Sequence, residues 1–169
     1  MCRFINSIIG VTAVAGITGF VGSRSSGFSS TASVEGVWRV AQVAVTVPAP
    51  RTITPVPSNL AIITAKHYSR VEIHSDAARP NVIDANKATA DELRQAWGPV
   101  VAEAGRYEAS GGNTLTFRPV VSKNPEVMAP GTYFTFSYRI VGDTLWLTHQ
   151  RDHRGPVANP PTIKLTRVE

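Results

Sequence analysis

Four histidines, His67, His74, His149 and His153, are the side chains suited to proton transfer near neutral pH. His67 and His149 fall in segments where apolar and polar residues alternate, so a period of two decides which way each points. Read as strands, these segments put His67, Ser69, Tyr107, Tyr138 and His149 on one side with Phe117, Phe134 and Phe136. Leu60, Ile62, Val71 and Leu147 share that side. Apolar walls with a few polar groups make a small-molecule pocket. A histidine held in one could act as general acid or base. The same side chains could also satisfy one another in a filled core. The ligand-binding candidates are therefore His67, Ser69, Tyr107, Phe117, Phe134, Phe136, Tyr138 and His149. No residue is assigned a catalytic role.

Other chemistries lack their motifs. The chain has no Gly-rich phosphate loop, no HExxH and no Gly-x-Ser-x-Gly. Cys2 is the one cysteine, so neither a disulfide framework nor a thiolate metal site can form within the chain. The histidines do not stand at metal-ligand spacing on a helix, and no metal or cofactor is expected. Seventeen basic and twelve acidic residues give a formal charge of +5, without a lysine-rich run that would mark a nucleic-acid partner.

The elements that must hold these residues are mostly hairpins. A first strand starts at Gly36 and carries Trp38, Val40 and Gln42 on one face, before a loop punctuated by Pro48, Pro50, Pro55 and Pro57. Residues 59–64 and 67–74 read as a hairpin around Ala65-Lys66. Its register sets Leu60 against Val71 and Ile62 against Ser69, facing inward with His67 and Ile73. Tyr68, Arg70 and Glu72 then face solvent, where Arg70 and Glu72 can pair. Thr89 and Glu92 form a capping box for a short helix that packs through Leu93, Ala96 and Trp97 and meets Gly98-Pro99. Val100–Ala104 read as a second short helix or turn ending at Gly105, the two lying against one mouth of a barrel.

Gly111-Gly112 then joins two strands with Tyr107 opposite Leu115. Gly142-Asp143 joins two more, pairing Ile140 with Leu145, Tyr138 with Leu147 and Phe136 with His149. Arg139 and Trp146 form a cation–π pair on the far face of that hairpin. A last strand over residues 162–168 brings Ile163, Leu165 and Arg167 to one face. Eight strands in adjacent hairpins favour closure, because closure removes unpaired edges. The expected fold is all-β: an eight-stranded antiparallel up-and-down barrel with a short helix between strands three and four. Gly36, Trp38 and Arg167 are expected to seal one end, the guanidinium against the indole face.

Residues 1–33 stand apart. Arg3 precedes an apolar, uncharged stretch over residues 4–22, followed by small residues that offer a cleavage point after Ala32. This is the pattern of a signal peptide, with an uncleaved membrane anchor or a disordered start as alternatives. Its removal would take Arg3 and Arg24, lowering +5 by two to +3. The expected location is secreted or periplasmic, with the barrel domain over residues 34–169. Membrane contact would come only through an uncleaved start.

Gly36-Val37-Trp38 near the start, eight strands, and Arg167 near the end resemble the lipocalins and the bacterial lipocalin-like domain proteins. The stretches ATADELRQAWGPVVAEAGRYEASGGNTLTFRP, VVSKNPEVMAPG and VGDTLWLT look like the latter group. Lipocalins usually carry their helix after the eighth strand, whereas here it falls between the third and fourth. The resemblance implies a barrel binding a small hydrophobic molecule. Some related barrels are cyclases or isomerases, so a small enzyme using inward His and Tyr, or a non-catalytic interaction module, remains open.

Overall fold

The computed structural model describes residues 33–54 and 56–169. The expected signal segment lies outside the described residues. Ten strands run in the order β1 (Gly36–Val45), β2 (Arg51–Ile53), β3 (Asn59–Ile63), β4 (His67–Ile73), β5 (Val100–Ser110), β6 (Thr114–Ser122), β7 (Phe134–Val141), β8 (Thr144–Asp152), β9 (Gly155–Pro156) and β10 (Thr162–Arg167). One helix, α1 (Ala90–Trp97), lies between β4 and β5. Eight of the strands form a closed antiparallel barrel, because β10 pairs with both β1 and β8. The short β2 and β9 add to β1 and β8 outside that circuit.

Closure at one end joins Gly36 and Trp38 of β1 to Arg167 of β10. Trp38 pairs with Arg167 across β1 and β10, and the guanidinium carbon lies 4.1 Å from the indole centroid. Arg167 Nη1 donates to Glu35 O at 2.6 Å and Nη2 to Ser33 O at 2.9 Å. Trp38 Nε1 donates to Val34 O at 2.8 Å, so the one polar atom of a fully buried indole is satisfied. Gly36 has φ +142°, and a Cβ there would collide with the Arg167 guanidinium. Above this floor pack Ile63, Tyr107, Leu115, Leu145 and Leu165.

The β7–β8 hairpin keeps the expected register, with Phe136 opposite His149 and Tyr138 opposite Leu147. Its outer Arg139–Trp146 pair has a guanidinium carbon 4.0 Å from the ring centroid. The capping box of α1 forms through both Thr89 and Glu92. Trp97, expected to pack, is 57% exposed.

The β3–β4 hairpin keeps its register but turns its faces round. Leu60 does oppose Val71 and Ile62 does oppose Ser69, yet Leu60, Ile62 and Val71 are 39%, 43% and 49% exposed. The inward set is Asn59, Ala61, Ile63, Tyr68, Arg70 and Glu72. With a period of two, the choice of face is binary, and counting aliphatic residues picks the wrong side here. Burying Tyr68 and Ile63 decides it, together with a carboxylate on β5 that meets Arg70.

Two further expectations are corrected. Val100–Ala104 are strand, not helix or turn: the β-branched Val100 and Val101 pair with Ile73 and Glu72, and β5 begins where Gly98-Pro99 ends the helix. The β5–β6 turn occupies Gly111–Asn113, so Tyr107 opposes Phe117 rather than Leu115. A two-residue slip leaves the faces unchanged, and both Tyr107 and Leu115 still point inward. A bulge between Ala104 and Gly105 sits opposite Pro119, where a Cβ on Gly105 would strike the Arg118 carbonyl.

Trp38→Ala should lower unfolding free energy by about 3–5 kcal/mol, the range for large aromatic truncation in a core. Trp146→Ala, which removes only the outer cation–π pair, should cost about 1 kcal/mol or less. Urea midpoints of the two variants at constant m-value check the contrast.

Candidate functional site

Away from the sealed end the interior opens into a cavity of about 250 Å³. Its apolar wall is a chain of rings. Tyr68 meets Phe117 edge-on at 4.7 Å, and Phe117 meets Phe136 edge-on at 5.6 Å. Phe136 stacks on His149 at 4.7 Å and 20°, and Phe134 meets the same imidazole at 5.9 Å. Alternation along β6, β7 and β8 sets these side chains on one surface, and leaning edge-to-face suits the aromatic quadrupole. Leu147, Ile163 and Leu165 complete the aliphatic part.

The opposite wall is charged. Arg70 Nε reaches Glu103 Oε1 at 3.0 Å, and Arg70 Nη1 reaches Glu72 Oε1 at 3.1 Å. Tyr68 donates its hydroxyl to the same Glu103 Oε1 at 3.2 Å, and His74 Nε2 meets Glu72 Oε2 at 2.7 Å. The Glu103 side chain is 6% exposed, while that of Arg70 is 34% exposed. A carboxylate this buried is tolerated only beside a cation and hydrogen-bond donors, and here it has both. Burial, then the Glu103 carboxylate, pushes the Tyr68 phenol far above its ordinary range, so it remains a neutral donor. Burial alone would lower the Arg70 pKa, but Glu72 and Glu103 outweigh it and raise it.

Asn59 closes a gap in the third part of the wall. The β1–β3 ladder ends at Trp38 and Ala61. Beyond it, Asn59 Oδ1 accepts from Val40 N–H at 2.5 Å and Nδ2 donates to Val40 O at 3.1 Å. A carboxamide thus takes the place of a backbone partner, leaving no buried peptide group of Val40 unmet.

His149 carries, in Nε2, the one fully buried side-chain polar atom of the cavity lining that has no hydrogen-bond partner among the described residues. Burial holds its pKa below the ordinary imidazole value, and the Arg70 charge adds to that; a backbone hydrogen bond at Arg151 and the Asp152 carboxylate pull the other way. The neutral ring offers the cavity an unused nitrogen.

Of the residues expected to contact a ligand, Phe117, Phe134, Phe136 and His149 line the cavity. Tyr107 and Tyr138 point inward but pack nearer the floor, and Tyr107 spends its hydroxyl on Thr64 O at 2.9 Å. His67 is exposed on the outer face, and Ser69 is exposed at the cavity's edge. Both are displaced by the turned-round β3–β4 faces. Tyr68, Arg70, Glu72, Glu103 and Asn59 were missed. The visible signal was Tyr68-x-Arg70-x-Glu72, an inward alternation of polar residues opposite Glu103.

No family model matches the chain, and no curated protein matches it. A solved structure it is similar to is a redesigned beta barrel, at 12% identity over 80% of this chain and 91% of that one, with a TM-score of 0.36. A likeness at that score adds nothing to the topology that the strand register already defines. Among the described residues no three His, Cys, Asp or Glu side chains gather to hold a metal ion, and no helix is long and apolar enough to cross a membrane.

Arg70→Met leaves the buried Glu103 carboxylate without its cation and should cost about 3 kcal/mol, at the low end for broken buried pairs because Arg70 is partly exposed. Replacing both, Arg70→Met with Glu103→Leu, should recover most of that loss in the same denaturant titration.

The depressed His149 pKa sets a pH slope. Above the ordinary value of 6.5 both folded and unfolded rings are neutral. As pH falls through 6.5 the unfolded ring takes a proton before the folded one, so stability drops until the folded pKa is passed. The thermal midpoint should therefore fall on acidification from neutral pH toward the acetate range, and His149→Phe should flatten that fall in differential scanning calorimetry.

Proposed function

We propose that this protein is a lipocalin-like binder that takes a small, largely hydrophobic molecule into its barrel and releases it unchanged. The observation that carries this reading is the 250 Å³ cavity walled by the ring chain from Tyr68 to His149. A dry cavity of about 150 Å³ is enough for benzene, so a bicyclic aromatic suits this one. Gly36, Trp38 and Arg167 support the kinship through the way they seal the barrel floor, not through ligand contact. The apolar stretch over residues 4–22 supports export, so the protein would work in the periplasm or outside the cell.

A second reading, a small enzyme of isomerase or cyclase type, is favoured by one observation. The unpartnered His149 Nε2 could accept a proton from a bound molecule. His67 has no part in it, being on the outer face.

The test is calorimetric titration of the full-length chain with 2-naphthylmethanol, alone and in the Ala61→Phe variant. Ala61 is a small side chain lining the cavity, and a phenyl group there fills it. Saturable one-to-one binding that weakens at least about tenfold in Ala61→Phe is expected, a loss of about 1.4 kcal/mol. Binding indifferent to that substitution overturns the proposal, as does failure of the alcohol and of its amine and carboxylate analogues alike to bind. Conversion of the probe would favour the enzyme reading.

A further inference from the structure

Resting on that binding reading, the structure assigns the occupant a chemical class: we infer that the molecule carries a protonated amine on an aromatic or aliphatic body. Three independent features of the cavity converge on a cation that donates hydrogen bonds.

The first is charge. The ionised side chains lining the cavity are Arg70, Glu72 and Glu103, one cation against two anions, a balance of −1. Arg70 is already clamped by both carboxylates through Nε and Nη1. An incoming anion would have to use the N–H groups that Arg70 keeps free on Nη1 and Nη2, and would stand beside Glu72 and Glu103 to do so. Repulsion from two close carboxylates in a site of low dielectric opposes that approach.

The second is the tally of open acceptors. Both hydrogen bonds to Glu103 end on Oε1, so Oε2 receives none among the described residues. His149 Nε2 is a buried nitrogen with no donor. Protonated at Nδ1, the neutral ring presents Nε2 to the cavity as an acceptor. Arg70, Glu72, Glu103 and His149 all line this one cavity. An ammonium has three donors and no acceptor, the complement of this pair.

The third is the aromatic wall. Phe117, Phe134, Phe136 and Tyr68 line the same space. Ring faces attract cations and repel anions, and several together form the kind of cage that holds ammonium groups. Neutral hydrophobic ligands need no carboxylate inside the barrel, and their presence here would only cost desolvation.

The experiment compares three probes with one naphthyl body: 2-naphthylmethylamine, 2-naphthylmethanol and 2-naphthoate. Each is titrated into the full-length chain at pH 7.5. The amine should bind about tenfold or more tighter than the alcohol, the difference expected of a charge-assisted hydrogen bond, and the carboxylate weakest. In Glu103→Gln the amine and alcohol should come within about twofold of each other, with alcohol affinity retained. Should that variant unfold, Glu72→Gln removes the neighbouring charge and should narrow the same ratio. If the alcohol binds and the amine does not exceed it, or if the carboxylate binds best, the amine assignment is wrong and the binding reading stands. If none of the three binds, the binding reading itself fails.

Discussion

One guanidinium holds the barrel shut. Arg167 lies against the face of Trp38, donates to two carbonyls of the segment that precedes β1, and occupies the volume that a side chain on Gly36 would need. Its backbone N–H bonds to Asp143 O in the β7–β8 turn, so the first strand, the last strand and a hairpin tip meet at one residue. A barrel without this contact would have to close on strand pairing alone, and β1 is poorly placed for that. It pairs with β3 over only Gly36–Trp38 before the two strands separate. A closed floor lets the opposite half of the barrel depart from an ordinary core, because the register of every strand is already set below it.

That departure is the charged wall. Arg70, Glu72 and Glu103 occupy inward positions that Leu60, Ile62 and Val71 would fill if hydrophobicity alone chose the face. An all-aliphatic interior would be the more stable solution, since a half-buried ion pair rarely outdoes well-packed apolar residues of the same volume. Tyr68 and Ile63 recover part of the loss by packing into the core, and two hydrogen-bonded partners keep Glu103 from being an isolated charge. The consequence is an outer surface with aliphatic residues on β3 and β4, the reverse of the ordinary arrangement for a barrel in water.

Legibility from sequence followed the reach of each interaction. The β7–β8 hairpin was readable from its turn as far as Phe136 and His149, because a two-residue turn fixes the register up to the bulge between Thr135 and Phe136. Trp38 and Arg167 were readable because they stand in the first and last strands, which closure must bring together. The helix start at Thr89 was local chemistry. The register of β3–β4 was local too, but its face was not. That face depends on Glu103, which lies 33 residues beyond Arg70 and had been assigned to a helix or turn. Two errors were therefore one error: once Val100–Ala104 are strand, Glu103 arrives opposite Arg70 and the polar alternation in β4 acquires an inward partner. The slip at Gly111–Asn113 did no such damage, because a displacement of two residues preserves sidedness.

The same reasoning separates the parts of the interior by what they do. Side chains near the floor have their polar atoms answered within the fold: the Trp38 indole by Val34, the Tyr107 hydroxyl by Thr64. Higher in the barrel the Val40 peptide is met by Asn59, and Arg70 by two carboxylates. At His149 the pattern stops, with a buried nitrogen left over beside a space large enough for a molecule. Packing gives no structural use to an unpaired imidazole nitrogen stacked on Phe136. An orphaned acceptor is costly when nothing fills the cavity and neutral once a donor arrives. The imbalance is therefore best explained by an occupant, and its location, between the ring chain and the carboxylates, describes that occupant's two ends.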